Sequence, residues 1–168
     1  SLPEKFAIKC NHGSGYNIIV PDKSKLNIED ARKKLAFWMN EDFSFRWGFE
    51  IQYTKIIRKI LVEEYIENVY NDLHDFKIFC FSGIPKYILY ITNRNKDIKK
   101  QIYDLNWNLQ PFVTDGPIST EPVPRPKNLD KVIELAKTLS KGYIQVRVDF
   151  YQLNNGDWKF GEMTFTPA

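Results

Sequence analysis

Residues Tyr143 to Tyr151 alternate strictly, with Ile144, Val146, Val148 and Phe150 on one side and Gln145, Arg147, Asp149 and Tyr151 on the other. A period of two predicts a strand with one buried face. The constraint is tight, because a one-residue slip would turn the whole apolar set into solvent. Asn155-Gly156 follows, the dipeptide expected at a two-residue type I′ turn, and Trp158 to Phe165 returns as a second strand. With that turn Asn154 pairs with Asp157, Asp149 faces Glu162, and Arg147 faces Thr164, all on one face with β-carbons roughly 4.5 to 5.5 Å apart. Two carboxylates placed opposite each other destabilise a hairpin unless positive charge lies between them. A divalent cation held by oxygen ligands is the simplest candidate. A solvated strand face neutralised by a nearby Lys or Arg is the alternative.

The remaining patterns are mixed. Phe6 to Cys10 reads as a short apolar strand and Tyr16 to Val20 as its return, with the glycine-rich loop Asn11-His12-Gly13-Ser14-Gly15 between them. Asn27, with Asp30 three residues on, resembles a helix cap. Ile28, Ala31, Leu35, Trp38 and Met39 then recur at helical spacing to about Asn40. Asp42 to Tyr53 is aromatic and irregular. Lys59 to Ile66, Asp75 to Phe81 and Lys86 to Thr92 read as strands, the last two joined through Ser82-Gly83-Ile84-Pro85. The basic stretch Asn95 to Lys100 reads as a solvated loop, and Pro117 to Pro126 as an extended connector. Leu129, Val132, Ile133, Ala136 and Leu139 mark a second helix that Gly142 ends. The class is α+β with antiparallel sheets.

Composition narrows the function. A hydrophobic fraction of 43% against 27% charged residues excludes a disordered chain, and 168 residues suffice for one domain or a compact two-lobed one. The net charge of +3 is too mild to demand nucleic acid. No apolar run approaches the roughly 20 residues of a membrane span, and Ser1 to Phe6 lacks a signal-peptide core, so the expected location is the cytoplasm. Cys10 and Cys80 lie in apolar strand-like runs and are expected to be buried free thiols.

Four constellations carry candidate chemistry. Lys9 precedes the loop Asn11 to Gly15, whose glycines admit an anion close to backbone N–H groups while the lysine adds a point charge; an ordinary turn is the alternative. Leu61 to Ile66 is an apolar strand interrupted by Glu63 and Glu64. Asp75 and Lys77 share a face opposite Phe76 and Ile78, as a site pair or a surface ion pair. The fourth set is Arg147, Asp149, Glu162 and Thr164.

In this order the four sets resemble the ATP-grasp superfamily, and in particular its TupA-like branch, named for teichuronic acid biosynthesis. The residues that carry the resemblance are Phe6 to Gly15, Val62 to Ile66, Asp75 to Gly83, Tyr103 to Trp107 and Arg147 to Phe165, which together reach across nearly the whole chain. The resemblance implies an α+β fold of ATP-grasp type, two lobes with antiparallel sheets and a nucleotide cleft between them. Residues 1–66 would form the glycine-loop lobe and 67–168 the metal-binding lobe.

The implied cofactors are ATP and Mg²⁺. The implied enzyme is an ATP-dependent carboxylate-amine ligase of cell-surface polysaccharide synthesis, which passes through an acylphosphate on a small-molecule or sugar-acid acceptor. On this resemblance Lys9 contacts the ATP phosphates and Arg147 stabilises the transferred phosphoryl group, the two catalytic cations. Asn11, Gly13, Ser14 and Gly15 belong to the loop that closes over the phosphates. Glu63 lies near the adenine amino group, Tyr65 and Ile66 meet the adenine edge, Asp75 falls at the ribose, and Lys77 completes the nucleotide set. Asp149 and Glu162 match the magnesium ligands, while Thr164 stands where the family commonly has Asn and offers a neutral oxygen. Family members usually begin with an acceptor-shaping domain, so the chain is expected to be a fragment that carries the nucleotide lobes without it. The competing reading is a carbohydrate-binding or glycosyltransferase-like protein that stacks sugars on Trp38, Trp47 and Tyr53 around the stretch Phe43 to Tyr53, with core packing as the plainer role of those rings.

Overall fold

The computed structural model describes residues 2–46, 49–66, 73–93, 97–114 and 119–165. The chain divides into two compact units, Ser1–Ile66 and Glu67–Ala168. In the first, strands β1 (Phe6–Cys10), β2 (Asn17–Val20) and β3 (Ile60–Glu64) form an antiparallel sheet in the order β2-β1-β3. Helix α1 spans Ile28–Asn40 and is capped by Asn27, whose side chain accepts from the Asp30 N–H at 3.0 Å. That bond satisfies one of the amides a helix start leaves unpaired. Phe6, Ile8 and Val20 are buried beneath Leu26 and Leu35, and a second cluster gathers Cys10, Tyr16 and Phe43 against Trp38, Met39 and Tyr53. The irregular aromatic stretch contains two 3-10 turns, Phe43–Phe45 and Ile51–Lys55.

The second unit holds a five-stranded antiparallel sheet built from β4 (Asp75–Phe81), β5 (Ile84–Thr92), β6 (Lys99–Asp104), β7 (Gln145–Gln152) and β8 (Trp158–Thr164), in the order β6-β5-β4-β7-β8. Helix α2, Leu129–Leu139, packs Leu129, Val132 and Ala136 against Phe76, Ile78, Cys80, Ile88, Val146, Val148 and Phe150 on one face of this sheet. Strand alternation therefore assigns Asp75, Lys77, Arg147 and Asp149 to the opposite face. The α+β class with antiparallel sheets stands as expected.

The hairpins differ from expectation in an instructive way. Ser82 and Gly83 both have positive φ, 50° and 77°, and Phe81 pairs with Ile84, so the two-residue primed turn lies here. Strand β5 consequently begins at Ile84 rather than Lys86. At Asn155-Gly156 only Gly156 has positive φ, 85°, whereas a type I′ turn needs it at both central residues. The Asn155 side chain accepts from the Asp157 N–H at 3.0 Å, an Asx bond that mimics a backbone turn. Leu153, rather than Asn154, is bonded to Asp157, at 2.8 Å, which leaves the three-residue loop Asn154-Asn155-Gly156.

That extra loop residue shifts the neighbouring pairs, so Gln152 meets Trp158 and Phe150 meets Phe160. A bulge then sets Gly161 and Glu162 against Asp149 and restores the register, returning Val148 to Met163 and Arg147 to Thr164. Asp149 and Glu162 thus meet across a bulge, not as a simple pair. Two further expectations are corrected. Ile144 precedes β7 and is 87% exposed, and Lys99 and Lys100 open β6, where they pair with Thr92 and Ile91, instead of lying in a loop. Among the described residues no helix is long and apolar enough to cross a membrane.

Both cysteines are free and buried, and burial pushes both thiols above their ordinary pKa. In the folded protein neither should react appreciably with a disulfide reagent at neutral pH; full reactivity should appear only with unfolding in denaturant. Gly13 allows the close approach of two rings, since a β-carbon there would lie 2.5 Å from the Tyr16 ring and 2.8 Å from that of Phe43. Gly13→Ala is therefore expected to cost about 1–3 kcal/mol in urea unfolding.

Candidate functional site

Three adjacent strands bring six side chains onto the sheet face opposite α2. Lys77 on β4 is the direct cross-strand partner of Asp149 on β7. Its ammonium lies 3.1 Å from Asp75 Oδ2 and donates to Asp149 Oδ2. From the other side Arg147 grips the same carboxylate with both prongs, Nε to Oδ1 at 2.7 Å and Nη2 to Oδ2 at 2.9 Å. The same Nη2 reaches Thr164 Oγ1 at 3.1 Å and Glu162 Oε1 at 3.4 Å, and Thr164 Oγ1 donates to Glu162 Oε1 at 3.2 Å.

Burial makes these contacts strong. Asp75 and Asp149 are fully buried, the side chains of Lys77 and Arg147 are 13% exposed, and that of Glu162 is 63% exposed. Desolvation alone would lower the Arg147 pKa, but the hydrogen bonds it donates to Asp149 and the charges of Asp149, Glu162 and Asp75 outweigh it and hold the guanidinium above its usual value. The positive charge expected between Asp149 and Glu162 is therefore present as the Arg147 guanidinium, while the Lys77 ammonium lies between Asp149 and Asp75. Three carboxylates and two cations leave a formal charge of −1.

The residues present suit a hard divalent cation. Oxygen atoms of Asp149, Glu162 and Thr164 already surround one positively charged group, and an all-oxygen set is what Mg²⁺ takes. Among the described residues no three of His, Cys, Asp or Glu are grouped to hold a metal, so an ion here would rest on two carboxylates with Thr164 as the neutral donor. Asp75, expected at a ribose, is fully buried and holds Lys77.

The first unit carries the other candidate residues. Lys9 on β1 and Glu63 on β3 form an ion pair at 2.5 Å, with both side chains partly exposed at 36% and 46%. The Asn11 amide donates to the Ile57 carbonyl at 3.0 Å and its side-chain oxygen accepts from the Lys59 N–H at 2.7 Å, clasping the approach to β3. This anchoring role was not visible in the motif. His12 is buried with Nε2 against the Trp38 carbonyl at 2.8 Å, Ser14 is exposed, and Gly15 sits at φ 77° with open space around it. Tyr65 and Ile66 follow β3 and are half-buried.

Within the aromatic stretch Phe45 and Phe49 are exposed, whereas the named rings Trp38 and Tyr53 are engaged by neighbouring rings. Trp38 stacks on Tyr16 at 5.3 Å and 16°, and Tyr53 meets Phe43 edge-on at 5.2 Å; Trp47 lies outside the described residues. The sequence run Tyr103 to Trp107 serves packing. Tyr103 and Trp107 stack at 3.9 Å, the Tyr103 hydroxyl accepts from the Val123 N–H at 3.0 Å, and the Trp107 indole donates to the Val123 carbonyl at 2.9 Å, which pins the connector before α2. Sequence reasoning missed one concavity of about 480 Å³ on the Phe76 and Tyr90 face, lined also by His74, Arg125, Lys127 and Gln152. No local motif marks it, because its wall comes from segments far apart in the chain.

The family model described as TupA-like ATPgrasp matches residues 1–168. No curated protein and no solved structure gives a significant match.

Removing one partner of a buried ion pair leaves the other charge stranded. Lys77→Met is accordingly expected to lower stability by about 3 kcal/mol in urea unfolding. Lys25→Met, at the exposed pair with Asp22, should leave the midpoint nearly unchanged.

Proposed function

The chain belongs to the TupA-like ATP-grasp family, an ATP-binding fold, and from that premise we propose that it is the Mg-ATP-binding part of a carboxylate-amine ligase. The observation that carries the reading is the ring of Asp149, Glu162 and Thr164 oxygens around Arg147, set beside a second buried cation, Lys77. A site that handles triphosphate needs carboxylates for metal and fixed cations for phosphate, and this face presents both.

Mg²⁺, when bound, would neutralise phosphate oxygens and the charge that develops during in-line transfer. Asp149 and Glu162 would hold it, with Thr164 as the neutral ligand. Arg147 and Lys77 would supply positive charge to the phosphoryl oxygens, and Asp75 pairs with Lys77. In the first unit Lys9 would contact phosphate, Glu63 would accept from the adenine amino group, and the backbone of Tyr65 and Ile66 would meet the adenine edge. The loop Asn11 to Gly15 would exclude water, which would otherwise hydrolyse an acylphosphate. The acceptor is a small carboxylate or sugar acid, and the setting in cell-surface polysaccharide synthesis follows the branch resemblance.

Calorimetry with ATP, with and without Mg²⁺, tests the reading: the folded protein should bind nucleotide in a Mg²⁺-dependent way, and its failure to do so would sink the proposal. Glu162→Gln should weaken that binding about tenfold, or 1.4 kcal/mol. Because the Glu162 side chain is 63% exposed, the urea midpoint should correspond to a change within about 0.5 kcal/mol. Unaltered Mg²⁺ dependence in this variant would remove Glu162 from the site.

A further inference from the structure

One group, the Arg147 guanidinium, touches all three side chains proposed to hold the metal. Nε and Nη2 occupy both oxygens of Asp149, and Nη2 also lies 3.1 Å from Thr164 Oγ1 and 3.4 Å from Glu162 Oε1. A guanidinium and a divalent cation compete for the same lone pairs, and in this arrangement the guanidinium takes one on each oxygen of Asp149. We infer that Arg147 is a resident stand-in cation, which caps the metal ligands and gives them up when phosphate draws the guanidinium away. The inference rests on the Mg-ATP reading above and adds an order of events to it.

Two observations support the choice of Arg147 over Lys77. Lys77 contacts Asp149 through Oδ2, whereas Oδ1 accepts from Arg147 Nε, so departure of the guanidinium is what frees that oxygen. Lys77 is also tied to Asp75 at 3.1 Å and has a second buried anion to keep it in place. With either cation gone, the three carboxylates and the remaining cation carry −2, which one divalent ion balances. Arginine suits this duty because its fork binds carboxylate and phosphate in the same two-pronged geometry, so it can pass from one to the other.

The physical consequence is linkage. Phosphate and metal would each favour the protein state in which Arg147 has left the carboxylates, so each would raise the other's affinity beyond their direct attraction. Metal alone must displace the guanidinium unaided and should bind weakly to the wild-type protein.

Titration of the full chain with Mn²⁺ alone, followed by the electron paramagnetic resonance of free Mn²⁺, tests this without nucleotide or turnover. Arg147→Gln should bind Mn²⁺ about tenfold more tightly than wild type, and adding Glu162→Gln to it should abolish the gain. Affinity in R147Q equal to or below that of wild type would overturn the inference. Arg147→Lys, which keeps the charge but loses the fork, guards against misfolding of R147Q: Mn²⁺ affinity above wild type supports the inference, and affinity at or below wild type refutes it. Calorimetry of wild type with Mg-ATP runs beside these titrations. If Mg-ATP binds normally while the Arg147 variants show no gain, only the stand-in role fails; if wild type does not bind Mg-ATP, the nucleotide reading fails and takes this inference with it.

Discussion

A fully buried carboxylate, Asp149, held by two cations, organises the polar sheet face of the second unit. Removing a charge from water is costly unless its partners are close and geometrically matched, and here one partner comes from a strand distant in sequence and the other from the strand of Asp149 itself. Lys77 comes from β4 and Arg147 from the same strand as Asp149, while Glu162 and Thr164 come from β8. The network thus depends on the order β4-β7-β8, and that order depends on the opposite face. There the alternating apolar residues of the same strands close against α2. Packing on one side sets the polar geometry on the other.

Local irregularity serves the same end. The hairpin after β7 uses three loop residues where two were expected, and uncorrected this would have displaced every later pair by one. The bulge at Gly161 and Glu162 absorbs the offset just where the acid side chains meet. Bulges re-aim side chains as well as shifting register. Glycine suits this turn of the chain because a β-carbon at Gly161 would lie 3.1 Å from the Asp149 carbonyl oxygen. The exposed Glu162 and the buried Asp149 consequently share Arg147 while differing sharply in solvation. One can exchange partners freely; the other needs a cation at all times.

Several motif residues have structural duties that complicate any functional assignment. Gly13 makes room for the Tyr16 and Phe43 rings, Asn11 clasps the segment before β3, and Tyr103 with Trp107 pins the connector that leads into α2. A family resemblance carried by such residues reflects shared architecture as much as shared chemistry. The acids and bases on the β4, β7 and β8 face are different. Asp75, Lys77, Asp149 and Arg147 are buried as one set of mutually paired charges.

Period-two alternation and helical spacing, taken from the sequence alone, established the α+β class, both helices and most of the strands, because each is dictated by side chains a few residues apart. The Asn27 cap and the free, buried cysteines were legible for the same reason. The pairing of Arg147 with Thr164 was legible too, although by a route the structure replaced. Tertiary structure alone decided which turn is the primed one, where the bulge falls, that Lys77 and Arg147 share Asp149, and that Asp75 is buried beside Lys77. Those outcomes depend on neighbours across strands and on how much water each group loses, and no local pattern of residues encodes either quantity.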